Sequence, residues 1–283
     1  MVAVGKALID LTRPARRVIA TSIYSAAHSD APRDEAPHRF DHGAAQRYEL
    51  LHARNTIREN HERLMALLED EKRKGGLWQS ASNQWFDGDE AAWCAYADHV
   101  RNRKCLEIGS GPFGEISPCY WMSDRVIIDP LIDEYRSLQI EINGKTFFTD
   151  DIETIAAPSE QRVERLVGTV DGVIVCRNAL DHCEDPLCVL ANIADYAAAG
   201  CYLLLWTDIW HLNGADEGHR DITRNPAAMD AMISGFGFAV LRHCKNVRAP
   251  GECLEYGVVA RKSQILASTG VGKRVAARHS ADQ

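Results

Sequence analysis

Between Lys104 and Gly114 the chain reads Lys-Cys-Leu-Glu-Ile-Gly-Ser-Gly-Pro-Phe-Gly, an apolar strand that turns through Gly109, Gly111 and Gly114. Gly109 and Gly111 lack the Cβ that would block a tight turn or the close approach of a ligand to bare backbone, and Pro112 suits the first turn of a following helix. Arg125-Val126-Ile127-Ile128-Asp129 is a second apolar strand that ends in a carboxylate, 20 residues beyond Gly109. That spacing suits an acid gripping ribose hydroxyls, so the chemistry implied is recognition of a nucleoside.

Two further segments bear on which nucleoside. Thr146-Phe147-Phe148-Thr149-Asp150-Asp151 reads as a third short strand closing on acids, placed to accept from an adenine amino group. Val170 to Val175 reads as a fourth strand, which runs through Cys176 and Arg177 into the polar elbow Asn178-Ala179-Leu180-Asp181-His182. A glycine turn with one acid after it fits both a dinucleotide and S-adenosylmethionine. The acids at 150 and 151 and the elbow have no place in the dinucleotide reading and favour the second.

In this order the four segments resemble the class I S-adenosylmethionine-dependent methyltransferases, in which E/D-x-G-x-G-x-x-G is followed by an acid after the second strand, an acid after the third and an N-x-L-E/D-H-x-x-D-P-like stretch after the fourth. Here they run from Glu107 to Pro186. The resemblance implies that Glu107, Gly109, Ser110, Gly111 and Gly114 border the methionine end of the cofactor, Asp129 the ribose, and Asp150 or Asp151 with Ile152 the adenine. Asn178 and Ala179 would line the approach to the methyl group. The substrate class implied is a small molecule, such as a sugar, a lipid precursor or a secondary metabolite.

Methyl transfer needs an acceptor lone pair in line with the methyl carbon and the departing sulfur, so positioning and exclusion of water supply much of the rate. An oxygen acceptor of high pKa also needs a general base, and the candidates are His182, Asp208, His211 and His219. Histidine is suited to that work because its ordinary pKa lies near working pH. His182 follows the fourth strand directly, while Trp206 to His211 leaves the fifth at the same sheet edge and Asp216 to Asp221 reads as a long loop. Asp181 and His182 also resemble part of an acidic-acidic-His metal cluster in ubiquinone-biosynthesis O-methyltransferases, but Asn178 stands where the first acid would be. No metal is assigned.

These residues need a scaffold. Alternating strands and helices predict a parallel, doubly wound sheet, and the resemblance implies that it is Rossmann-like, mostly parallel with an antiparallel last strand. Asp185-Pro186 opens a helix through Leu187, Leu190 and Ile193, and Gly200 stops it before the strand Tyr202 to Trp206. A helix over Ala227 to Ile233 precedes strands at Phe238 to Leu241 and Glu255 to Ala260. Upstream, Leu50, Ile57, His61, Leu64 and Leu68 recur at helical spacing in a run to Lys74 that Gly75-Gly76 stops, and this helix packs on the core or forms a lid. Asp87 to Glu90 reads as the start of a helix through Val100. Trp78, Trp85 and Trp93 read as packing anchors, with a role as walls of the acceptor pocket as the other reading. The expected division is a flexible arm and linker over 1–43, a helical extension or lid over 44–102, a catalytic domain over 103–261 and a disordered tail over 262–283.

The 283 residues, 46% hydrophobic and 25% charged, suffice for one substantial core. A formal net charge of -8 gives a nucleic-acid polyanion no general attraction. The nine cysteines include no CxxC pair and read as reduced thiols rather than a disulfide framework or zinc site. With no apolar run of membrane-spanning length and no secretory signal, a cytoplasmic protein is expected, although Lys6, Arg13, Arg16 and Arg17 leave a basic amphipathic or transit segment open. Two other functional readings stand beside methyl transfer: an NAD-dependent oxidoreductase, and a cofactor-binding partner subunit without activity.

Overall fold

A computed structural model of the chain describes residues 42–73, 85–211, 218–244 and 253–263. The expectations for the N-terminal arm, Trp78, the Gly75-Gly76 stop, Asp216, Glu217 and the C-terminal tail fall outside these residues. Helix α1 (His42–Arg73) precedes α2 (Glu90–Val100). The alternating part then runs β1 (Lys104–Ile108), β2 (Asp124–Ile128), α3 (Ile132–Asn143), β3 (Ile152–Ile155), β4 (Val173–Arg177), α4 (Pro186–Tyr196) and β5 (Tyr202–His211). It closes with α5 (Pro226–Gly235), β6 (Phe238–His243) and β7 (Cys253–Lys262).

The seven strands form one sheet in the order β3-β2-β1-β4-β5-β7-β6. Strands β1 to β5 are parallel, and β7 runs antiparallel to both β5 and β6. This is the doubly wound Rossmann-like fold anticipated from the alternation of elements. Its strand order reverses between β1 and β4, and the crevice beyond their carboxyl ends is where open α/β sheets bind ligands.

Alternate residues of each strand enter different cores, as the two-residue period of a strand requires. Leu106, Ile108, Val126, Ile128, Ile174, Cys176, Leu203 and Leu205 pack with α4 and α5. Cys105, Ile127, Val173, Val175, Leu204 and Trp206 pack on the other face with Trp93, Tyr96, Ala97 and Val100 of α2, Ile132 and Tyr135 of α3, and Ala53 of α1. Trp85 and Trp93 are buried there and line no part of the large cavity described below, in agreement with packing anchors. Local signals set the helix starts: Asp185 accepts the Cys188 N–H at 2.9 Å and Asn225 that of Ala227 at 2.9 Å, each just before a proline at the first helical position. All nine cysteines are free thiols, six of them buried.

Three expectations need correction. Residues 111–123, between β1 and β2, form turns and no helix. The Glu115 and Ile116 N–H groups that would open such a helix donate instead to the carboxylate of Glu107, at 2.7 and 3.1 Å, and the guanidinium of Arg125 donates to the Ser117 carbonyl at 2.7 Å. The third strand is Ile152–Ile155 and not Thr146 to Phe148, because the Gln139 side chain accepts from the Thr146 hydroxyl and the Phe147 N–H, both at 2.8 Å, and pins that stretch as a turn. Strand β5 continues to His211, so Asp208 and His211 stand on a strand rather than a loop, facing Glu255 and Cys253 of β7 across a bulge.

Candidate functional site

A cavity of about 590 Å³ opens at the switch point. Its floor is the glycine turn. Gly109 donates its N–H to the Ile128 carbonyl at 2.9 Å and adopts φ +68°, and a Cβ there would lie 2.3 Å from the Cβ of Ala179. The turn after β1 and the elbow after β4 therefore interlock through a missing methyl. Gly111 and Gly114 also have positive φ, +56° and +65°. At Gly114 an added Cβ would strike the Ser117 hydroxyl at 2.4 Å.

Asp129 follows β2 and is buried at the cavity wall. Its carboxylate accepts the Leu131 N–H at 2.8 Å, the Gly111 N–H at 3.1 Å and the Ser110 hydroxyl at 3.3 Å. Burial raises its pKa to about 6 against the pull of these donors. Glu107, also buried, is pushed up to about 8 by desolvation. The elbow begins at Asn178, whose φ of +48° is rare outside glycine and whose N–H donates to the Trp206 carbonyl at 2.6 Å.

Of the residues singled out from the sequence, Glu107, Gly109, Ser110, Gly111, Gly114, Asp129, Asn178, Ala179, His182 and Asp208 all line the cavity. Asp150, Asp151 and Ile152 do not. They lie where β3 begins, at the amino edge of the sheet, whereas the cavity is at the carboxyl edge. Asp151 is instead ion-paired with Arg125, and the Thr149 hydroxyl first and Arg125 second hold its carboxyl below the usual range. The segment after the true third strand, Pro158 to Glu160, lines the cavity in their place, and Glu160 accepts the Glu184 and Asp185 N–H groups at 2.7 and 3.2 Å. A third strand starting six residues later than Thr146, at Ile152, points to this acid.

Sequence reasoning also missed Glu49, His52, Glu115, Arg177, Trp206 and Glu255, all of which line the cavity. Helix α1 supplies the first two together with Ala45, Gln46 and Thr56, while Ala53 and Ile57 anchor it by burial. Among the described residues, seven carboxyl groups (Glu49, Glu107, Glu115, Asp129, Glu160, Asp208 and Glu255) face the cavity against one guanidinium, Arg177, which is itself paired with Glu115.

The histidines gather at one end. His182 sits between two acids, with Nδ1 3.5 Å from Glu49 Oε1 and Nε2 3.7 Å from Asp181 Oδ2. The ring of His219 lies near it, tilted by 54° with centroids 4.3 Å apart, and is 5.2 Å from the ring of His211. Neither His211 nor His219 lines the cavity; they stand behind Asp208 and His182. His211 Nδ1 lies 3.0 Å from Asp221 Oδ1, a hydrogen bond that raises its pKa, and burial raises that of Asp208.

No protein-family model and no curated protein sequence matches the chain. Among solved structures the chain is similar to the trans-methyltransferase CalH in complex with SAH, at 18% identity over 60% of this chain and 54% of that one, with a TM-score of 0.45. The chain thus spans about half the length of CalH. It is similar also to an S-adenosylmethionine-dependent methyltransferase from Mesorhizobium loti, at 15% identity over 61% of this chain and 98% of that one, TM-score 0.44. A third is the N-terminal domain of EvdMO1 in the presence of SAH and D-fucose, at 18% identity over 61% and 82%, TM-score 0.42. The order and direction of the strands themselves give the chain its Rossmann-like fold.

Proposed function

We propose that the protein transfers a methyl group from S-adenosylmethionine to a small molecule. The observation that carries this reading is the charge of the cavity. A dinucleotide needs a helix N-terminus to hold its pyrophosphate. Here the glycine turn opens no helix, and the buried carboxyl of Glu107 ties down the N–H groups such a helix would offer. Apart from Glu107, which burial keeps protonated near neutral pH, six acids line the cavity against one paired arginine among the described residues, an imbalance that repels phosphate and attracts a cationic sulfonium with its ammonium group. The volume of about 590 Å³ suits a cofactor with a small acceptor beside it.

In this reading the glycine turn admits the cofactor against bare backbone, Asp129 takes the ribose, and Pro158 to Glu160 takes the adenine end in place of Asp150, Asp151 and Ile152. Glu107 faces the cationic end. When bound, S-adenosylmethionine supplies a methyl carbon activated by its sulfonium charge. Asn178 and Ala179 fix the approach of the acceptor, and α1 covers the cavity through Gln46, Glu49 and His52 to exclude water. His182 and Asp208 are the cavity-lining groups able to accept a proton from an acceptor hydroxyl.

Calorimetric titration with S-adenosylmethionine, S-adenosylhomocysteine and NAD tests the reading. Micromolar binding of the first two without NAD, followed by transfer of a labelled methyl group to members of a small-molecule panel, is the expected result. Binding of NAD alone would overturn it, and binding of the first two without transfer to any acceptor would favour a binding subunit.

A further inference from the structure

We propose that Asp181, Asp208 and His211, with His182 and His219 beside them, form a site for a divalent first-row transition-metal ion at the end of the cavity. Asp181 is fully buried; its Oδ1 accepts the Thr207 hydroxyl at 2.8 Å, and its Oδ2 has no hydrogen-bond partner among the described residues. A carboxylate oxygen without a partner in a protein interior is costly unless a cation meets it.

The surrounding donors are arranged for that cation. One donor atom each from Asp181, Asp208 and His211 lies within 4.8 Å of the others, and the same holds for Asp181, His182 and His219, so both sets share the buried acid. His182 Nε2 stands 3.7 Å from Asp181 Oδ2, and His211 Nε2 stands 3.9 Å from Asp208 Oδ2. Those separations are too long for hydrogen bonds. They match the roughly 3–4 Å between neighbouring ligand atoms that each bind a central ion at about 2.1 Å.

The far side of each ring supports the same geometry. His211 Nδ1 meets the Asp221 carboxylate at 3.0 Å, which assigns the ring proton to Nδ1 and leaves the Nε2 lone pair directed at Asp208. Asp221 also accepts the His211 backbone N–H at 2.8 Å and so holds the strand end in place. Glu49 stands on the Nδ1 side of His182 at 3.5 Å, without a hydrogen bond between them. A carboxylate behind the imidazole is the arrangement that orients metal-binding histidines and raises their basicity. Three imidazoles clustered within reach of two acids favour Zn²⁺, Mn²⁺, Fe²⁺ or Co²⁺ over Mg²⁺ or Ca²⁺, which prefer oxygen alone. Asp208 and His182 open the site to the cavity. Binding of the ion does not depend on the methyl-transfer reading.

The test uses the full chain stripped with a chelator and titrated calorimetrically with Zn²⁺ and Mn²⁺, without S-adenosylmethionine, and with Co²⁺ monitored by its visible spectrum. One ion per chain is expected. Asp221→Asn, which keeps an oxygen to accept the His211 backbone N–H but removes the charge behind the ring, should weaken binding about 10–100-fold. His211→Ala should weaken it further, and His99→Ala, on a helix away from the site, should leave it unchanged. Failure of the stripped protein to bind any of the three ions, or affinity that is the same in folded His211→Ala and Asp221→Asn as in the parent, would overturn the assignment. Because no cofactor is present, a failed cofactor titration and a failed metal titration remain separate results.

Discussion

Asp129 Oδ2 accepts the backbone N–H of Gly111 at 3.1 Å, so the acid that ends β2 and the glycine turn that ends β1 form one hydrogen-bonded unit. Of the roughly four acceptor positions on a carboxylate, backbone and Ser110 take three. A ribose hydroxyl can take the fourth or displace the serine. Asp129→Ala should therefore weaken S-adenosylmethionine binding by about 1.5–3 kcal/mol. Ser110→Ala should have a smaller effect, read in the same titration, and unchanged affinity in folded Asp129→Ala would remove the ribose role.

The interlock of Gly109 with Ala179 predicts unequal costs for two similar substitutions. Gly109→Ala places its Cβ 2.3 Å from that of Ala179 and should destabilise by about 3 kcal/mol or more through overlap and backbone strain together. Gly111→Ala meets no atom of the described residues within 4 Å and should cost only the left-handed backbone, about 1–2 kcal/mol. Adding Ala179→Gly to Gly109→Ala should recover the steric part. Urea unfolding of the three variants reads the difference, and equal destabilisation of the two alanine variants would refute the interlock.

Glu107 makes stability depend on pH in a sense opposite to a salt-bridged acid. Its pKa is about 8 in the folded chain against an ordinary 4.5, so the folded state holds its proton through a window where the unfolded state has lost it. Stability from this group is then full below pH 4.5, falls as pH rises toward 8 and is level above that. In Glu107→Gln the side chain stays neutral. The stability difference between parent and variant, followed by denaturant unfolding, should move in the variant's favour as pH rises from 6 to 8; no change across that window would contradict the buried neutral acid.

Asn178 holds a φ of +48°, a conformation open to Asn and Gly but strained for a branched side chain. Asn178→Gly should leave the melting temperature unchanged or slightly raised, while Asn178→Val should cost about 1–2 kcal/mol. If the amide also fixes the acceptor's approach, Asn178→Gly loses turnover at full stability. Thermal unfolding and kcat measured on the same preparations separate the two effects.

The parts of this site that sequence discloses are those built from contiguous residues: the run from Glu107 to Gly114, the acid 20 residues on, and the elbow at Asn178. Phe147 and Phe148 look like strand residues, and the capture of their turn by Gln139 is a tertiary event with no local signal. The missing helix has the same cause, a side chain reaching from Glu107 to the N–H groups of Glu115 and Ile116. Extension of β5 to His211 depends on a partner, Cys253 to Glu255, that arrives more than 40 residues later. The pairing of Glu49 with His182 spans a still longer separation. Short-range chemistry was legible; contacts made by distant partners were not.

Strand β7 comes last among the described elements, yet it lies inside the sheet, between β5 and β6. During synthesis β5 must therefore wait as an open edge, its outer hydrogen-bonding groups unmatched, until residues 253–262 leave the ribosome. Asp208 and His211 sit on the stretch of β5 that only β7 pairs. The glycine turn, Asp129 and the Asn178 elbow belong to strands made earlier. The two halves of the cavity thus mature at different times, and a nascent chain stalled before residue 253 would carry a formed glycine-turn floor beside an unformed histidine end.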